Sequence, residues 1–260
     1  MSLAVLASRA LCGLQAFSVR VEVHVGPGLP SFAIVGLPDV GVRESRERVR
    51  AAIVSSGLPF PAGRITVNLA PADLPKNSGR FDLPIALGVL LASGQVSVSS
   101  PTGPGSMAPD LHGYVFAGEL SLTGAVVPVS APLAIAMAVA QTEKNATLVL
   151  PAASAAAAAM APGLKVLGAS TLLDVVAHFA GITPLPVAQP GAQSFRSGSP
   201  PCLSDVRGQP LARRVLEIAA AGSHGMFLPC TIDPIVISKA VYEYATQRPQ
   251  GFLLPPFLNS

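Results

Sequence analysis

Residues 17–57 read FSVRVEVHVGPGLPSFAIVGLPDVGVRESRERVRAAIVSSG, and this stretch decides the fold. Phe17, Val19, Val21, Val23 and Val25 alternate with Ser18, Arg20, Glu22 and His24, which predicts a strand with one buried and one wet face. Gly26–Pro30 supplies turn chemistry, Ser31–Val35 predicts a second strand, and Gly36-Leu37-Pro38 ends it. Asp39 is suited to cap a helix over 40–56, because its carboxylate can accept from the first free backbone N–H groups. Val42, Val49, Ala52 and Ile53 form the apolar stripe of that helix, and Gly57 is its natural stop. Arg43/Glu47 and Glu44/Arg48 stand four residues apart on its predicted exposed side.

Outward from this unit, residues 3–9 and 64–69 predict strands, 70–79 a loop, and 80–93 an apolar helix with Pro84 in its tolerant first turn. The Gly-, Pro- and Ser-rich run 94–113 predicts a loop. Residues 114–122 and 125–129 predict paired strands across Thr123-Gly124. Beyond them the pattern alternates: helix 133–141, strand 147–150, helix 152–160, strand 164–167, helix 171–180. Such alternation implies a partly parallel sheet, whereas the front half is hairpin-like. Together these give one mixed α/β (α+β) domain over residues 1–182. Residues 183–203 hold five prolines and read as a linker, 204–227 as the opening of a further module with a helix at 208–222, and 228–260 as a divergent tail.

Composition narrows the function classes. Half of the 260 residues are hydrophobic and 12% are charged, with a mean hydropathy of +0.53. A membrane span needs about 20 apolar residues. The best stretch, 124–140, is broken by Pro128 and Pro132, and the block 155–159 is only alanine, so no membrane span is expected. Arg9 interrupts the first apolar run, which argues against a secretory signal and for a cytoplasmic location. Cys12, Cys202 and Cys230 fit neither a disulfide framework nor a zinc pattern. His24, His112, His178 and His224 are scattered, so no metal is expected. A net charge of +3 permits nucleic-acid binding, while three Tyr, ten Phe and no Trp give few stacking platforms.

Several long motifs resemble one family. They are SFAIVGLPDVGVRESRERVRAAIVSSG (31–57), VNLAPADLPK (67–76), RFDLPIALG (80–88), GELSLTG (118–124) and DVRGQ (205–209). Over residues 1–226 the chain resembles the ComM/YifB family of magnesium-chelatase-like AAA+ proteins. The resemblance implies an N-terminal domain of the Lon-protease-like (ribosomal S5 domain 2-like) fold, followed by an AAA+ ATPase module. It further implies a hexameric, ATP-driven DNA translocase that acts in branch migration during natural transformation. It does not imply a porphyrin partner. Val206, Gly208 and Gln209 would lie near adenine in a complete ATPase module.

These 260 residues contain no G-x-x-x-x-G-K-[ST] loop to cradle a triphosphate. The text also departs from the family after about Phe227, so a chain truncated before that loop is expected, or one continued in another reading frame as an ATP-binding AAA+ protein. ATP and Mg2+ are then expected only in full-length members, with no cofactor and no catalytic residue in this chain. The Lon-like fold raises one alternative, a Ser–Lys peptidase. Compared with such peptidases, the nucleophile falls near Arg80 and the lysine at Leu133, and neither side chain can do that chemistry. Ser78 and Lys76 lie close in sequence but lack a visible third group.

The remaining candidates are contact residues. Arg43, Arg46 and Arg50, with Arg48 beside them, could meet phosphates, or they form a solvated face balanced by Glu44 and Glu47. Lys76 and Arg80 are candidates for the same DNA or subunit contact, and Asp82 is expected to stabilise the start of its helix. The leading expectation is a non-catalytic accessory domain that contacts DNA or assembles as a homo-oligomer.

Overall fold

The computed structural model describes residues 2–12, 15–74, 76, 79–97, 111, 113–191 and 210–222. The chain divides into two units, residues 1–192 and 193–260. In the first, strands β1 (Ser2–Cys12), β2 (Gln15–Gly26) and β3 (Ser31–Val35) lead into helix α1 (Val40–Ser55) and strand β4 (Arg64–Ala70). A 3-10 turn, Gly79–Phe81, runs into α2 (Asp82–Ala92). Then come β5 (Tyr114–Phe116), β6 (Glu119–Leu120), β7 (Val126–Val127), α3 (Pro132–Thr142), β8 (Thr147–Pro151), α4 (Ala152–Ala158), β9 (Lys165–Ala169) and α5 (Leu172–Phe179).

Seven strands form one sheet in the order β3-β4-β2-β1-β5-β8-β9, and β6 and β7 form a small ribbon of their own. The centre, β4-β2-β1, is antiparallel, and both flanks are parallel. The two modes follow from the connections. β1 and β2 are joined by a hairpin, whereas β3 and β4 are joined through α1, and parallel neighbours need such a crossover.

The alternation of β2 holds in the structure. Val19, Val21 and Val23 are fully buried, while Glu22 accepts from the Asn68 side chain (2.9 Å) on the opposite face. Helices α1, α2 and α5 cover the buried face, in one core with Leu6, Val21, Val67, Phe116 and Val149. On the β5-β8-β9 flank, α3 and α4 cover the other face as well, against Val115, Leu148, Leu150 and Val166. A strand covered on both faces is apolar at consecutive positions, as Leu148-Val149-Leu150 is.

Local signals set the ends of α1. Asp39 Oδ1 accepts from the Val42 N–H at 2.7 Å, and Gly57 sits at φ +74. Helix α2 is buried along its whole length and reaches β2 closely because Gly88 has no side chain. A Cβ there would stand 2.5 Å from Val23 Cγ2.

Two expectations needed correction. The strand 114–122 is split in two. Gly118 gives its N–H to the Arg80 carbonyl (2.9 Å) and accepts from the Leu83 N–H (2.9 Å), so its backbone serves the entrance to α2 rather than the sheet. The first strand, expected over residues 3–9, runs from Ser2 to Cys12. Arg9 sits buried within it, where its guanidinium pairs with Glu143 and donates to Thr142 (2.6 Å) at the end of α3. Most of the 94–113 stretch lies outside the described residues. In the second unit the described element is α6 (Pro210–Gly222), an amphipathic helix with Leu211, Val215 and Ile218 exposed on one side.

Candidate contact surface and the polar cluster beneath it

Helix α1 carries four arginines and divides them between two environments. Val42, Val49, Ala52 and Ile53 face the core and fix the rotation of the helix. That rotation leaves Arg43, Arg46 and Arg50 exposed along one stripe, with Glu47 among them.

Arg48 turns inward instead. Its Nε donates to Asp82 Oδ2 at 2.6 Å and its Nη2 to Asp82 Oδ1 at 3.2 Å, a two-pronged bond to a carboxylate that is fully buried. The same Nη2 reaches the Gly41 carbonyl (3.0 Å) and Ser45 Oγ (3.2 Å). Asp82 Oδ2 also accepts from the Leu120 N–H at 3.2 Å, so one carboxylate ties α1, the start of α2 and the β6-β7 ribbon together. Burial pushes the Asp82 carboxyl upward from its ordinary value, and the bonds from Arg48, Ser45 and Leu120 hold that rise back. The bond to Asp82 in turn raises the Arg48 guanidinium. Asp82 stands in the first turn of its own helix, where a negative charge is expected to be favourable, while the N-cap residue is Phe81 with no side-chain cap bond. Arg48 does not belong with the exposed arginines, although its 3.8 Å approach to Glu44 keeps the anticipated pair within the helix.

Arg80 and Lys76 also lie inside. Arg80 is buried and its Nη2 donates to Ser130 Oγ at 3.3 Å; burial lowers its pKa. The preceding Gly79 leaves room for Glu119, whose Cδ would stand 2.6 Å from a Cβ at that position. Lys76 is fully buried and donates to the Pro71 carbonyl, while its own carbonyl accepts from the Asp39 N–H at 3.2 Å. Desolvation lowers the Lys76 amine, and Asp73 opposes the shift. The structure thus brings Arg43, Arg46 and Arg50 together at the surface and places Lys76 and Arg80 beneath it.

The stripe borders a cleft of about 520 Å³. Arg46, Glu47 and Arg50 form one wall, Pro30–Phe32 at the start of β3 a second, and Phe60–Gly63 a third. The Arg50 guanidinium lies 5.0 Å from the centre of the Phe60 ring, and Phe60 packs against Phe32 at 5.9 Å. Such a cation–π contact, about 0.5–1 kcal/mol at an exposed site, holds the guanidinium at the cleft mouth. No spacing rule in the sequence links Phe60 to Arg50. The signal was the short apolar run after Gly57, which the chain folds back beneath the end of α1.

The residues that the resemblance places near adenine, Val206, Gly208 and Gln209, lie outside the described residues, as do Ser78, His112 and His224. Among the described residues no group of three or more His, Cys, Asp or Glu side chains could hold a metal ion. Lys76, the best enclosed lysine among the described residues, is bonded to a backbone carbonyl, and Leu133 stands half-exposed on α3. No helix among the described residues is long and apolar enough to cross a membrane.

Fold and site together define a mixed α/β domain with a cationic helix face. Residues 21–154 match the family described as subunit ChlI of Mg-chelatase, from within β2 to the first turn of α4. The chain is 41% identical over 230 residues to the competence protein ComM of Haemophilus influenzae, covering 87% of this chain and 43% of that protein. It is 41% identical over 261 residues to YifB of Salmonella typhimurium (100% and 47%), and 35% identical over 221 residues to a protein of Mycobacterium tuberculosis (85% and 42%). It spans less than half the length of each of these relatives. The chain belongs to the ComM/YifB family of magnesium-chelatase-like proteins and carries its ChlI domain.

Proposed function

We propose that this chain supplies a non-catalytic accessory domain to a cytoplasmic DNA-processing protein of the ComM/YifB type. In this reading Arg43, Arg46 and Arg50 form the face that holds an anionic partner, either DNA phosphates or the carboxylates of a neighbouring subunit in a homo-oligomer. The observation that carries the proposal is the division of α1: Arg48 is committed to Asp82, while the other three arginines stand exposed on one side. The name of the Haemophilus relative ties that protein to competence, a process that handles DNA, and this favours DNA among the partners of the whole protein.

Fluorescence anisotropy with two polyanions, a branched DNA and poly-glutamate, tests the reading. Three phosphate contacts release about three counterions, so raising the salt from about 50 to 200 mM is expected to weaken DNA binding by about 40-fold. The triple variant Arg43→Ala/Arg46→Ala/Arg50→Ala is expected to lose binding of whichever polyanion the wild-type chain takes. Unchanged affinity in the triple variant would overturn the proposal.

A further inference from the structure

The two edges of the seven-stranded sheet are finished differently. At β9, the chain covers its own edge: Val187 bridges Leu167, the Gly168 N–H donates to the Pro186 carbonyl (3.1 Å), and the Ala188 N–H donates to the Val166 carbonyl (2.8 Å). At the other end, among the described residues, no strand pairs with the outer side of β3. An edge strand offers a row of unpaired N–H and C=O groups, and proteins usually blunt it with charge or proline. β3 reads Ser-Phe-Ala-Ile-Val and has neither. Its side chains Ser31, Ala33 and Val35 are exposed, and Leu29 and Leu37 beyond its ends are 89% and 60% exposed.

The charge beside this edge is net positive: with Glu47 on the same wall, Arg46 and Arg50 line the cleft that opens along the start of β3. Four residues of helix separate them by about 6 Å along the axis. In a strand, every second side chain lies on the same face, about 6.6–6.8 Å apart. Two acidic side chains at alternate positions of a strand added to β3 therefore match the rise between the two arginines along the helix axis.

We propose that β3 is a docking edge for an extended acidic segment of another polypeptide, which adds an eighth strand and places alternate carboxylates on Arg46 and Arg50. Backbone bonds to the edge supply the attachment, and the arginines select acidic sequence. A second copy of this chain is disfavoured, since joining two β3 edges brings two arginine stripes onto one sheet face. A nucleic-acid strand would leave the amide edge without matching partners. The inference rests on the reading of the arginine stripe as an anion contact.

The test uses the full 260-residue chain and fluorescein-labelled peptides of four Glu-Val repeats, four Gln-Val repeats and four Lys-Val repeats, beside a labelled 20-mer of dT. The Glu-Val peptide is expected to bind at least tenfold more tightly than the Gln-Val peptide in low salt, with no detectable binding of Lys-Val. Arg46→Ala/Arg50→Ala is expected to erase the Glu/Gln difference, and both of these positions are exposed. Hydrogen exchange at the β3 amides is expected to slow at least tenfold in the presence of the Glu-Val peptide. Equal affinity for Glu-Val and Gln-Val, or unprotected β3 amides, overturns the docking edge. Arginine-dependent binding of dT with no binding of Glu-Val overturns the docking edge but leaves the anion-contact reading standing. Arginine-dependent binding of neither probe overturns both.

Discussion

Arg48 and Arg50 stand two residues apart on α1 and work under opposite conditions. Arg48 points inward and donates to the fully buried carboxylate of Asp82, the first residue of α2. Arg50 points outward and rests on the Phe60 ring at the mouth of an open cleft. An ion pair removed from water is costly to form and costlier to break, because loss of one partner strands the other charge. A guanidinium at the surface keeps its water and contributes little to stability, so it is free to meet a partner. The same residue type on one helix thus serves folding on one side and, in the function proposed above, recognition on the other. The difference is made by Asp82, which lies 34 residues further along the chain than Arg48.

The sharpest way to break this comparison is Asp82→Ala. It leaves the inward guanidinium and the Leu120 N–H without their acceptor, and a loss of about 3–5 kcal/mol is expected in urea unfolding. Replacing both partners together, Arg48→Met with Asp82→Leu, is expected to cost less than Asp82→Ala alone. Asp39→Ala removes the cap that starts α1, so it weakens both faces at once, by about 1 kcal/mol in the same measurement.

His178 gives a contrast in pH. Its Nδ1 accepts from the Leu185 N–H at 3.1 Å, which fastens the segment that goes on to cover β9. Desolvation, helped by the charge of Lys165, lowers its pKa from the ordinary 6.5. A lowered pKa means that the folded state resists the proton that the unfolded chain accepts. The contribution of His178 to stability is therefore present above pH 6.5 and lost as the pH falls through its folded value. Unfolding midpoints between pH 7.5 and pH 5 are expected to decline in the wild type, and less so in His178→Phe. The smallest effect on stability belongs to the outer stripe. Arg43→Ala and Arg46→Ala are each expected to shift unfolding by less than about 0.5 kcal/mol, as surface substitutions generally do.

Much of the fold was legible in the sequence. The helix over 40–56 followed from its cap, its apolar spacing and its terminal glycine, and it formed at residues 40–55. The wet and dry faces of β2 followed from strict alternation. The parallel flank followed from the strand–helix rhythm after residue 132. The split of 114–122 was not legible, because the partners of Gly118 are the Arg80 carbonyl and the Leu83 N–H, far back in the chain. The inward turn of Arg48 was hidden for a similar reason. Its spacing from Glu44 fits an exposed helical pair equally well, and only the packing of α1 on α2 brings Asp82 within reach. Exposure of Arg43, Arg46 and Arg50 could be read from their place opposite the apolar stripe. The burial of Lys76 and Arg80 could not, because Lys76 sits in a segment with ordinary loop signals and Arg80 opens a predicted helix, where an arginine is ordinarily solvated. Sequence also does not show which strand becomes an edge, so the bareness of β3 emerged only with the strand order.

Paired urea melts of Arg48→Ala and Arg50→Ala test the division of α1 most directly. The division predicts a loss of about 3 kcal/mol or more for Arg48→Ala and less than about 1 kcal/mol for Arg50→Ala. Equal losses, or a larger loss at Arg50, would contradict it.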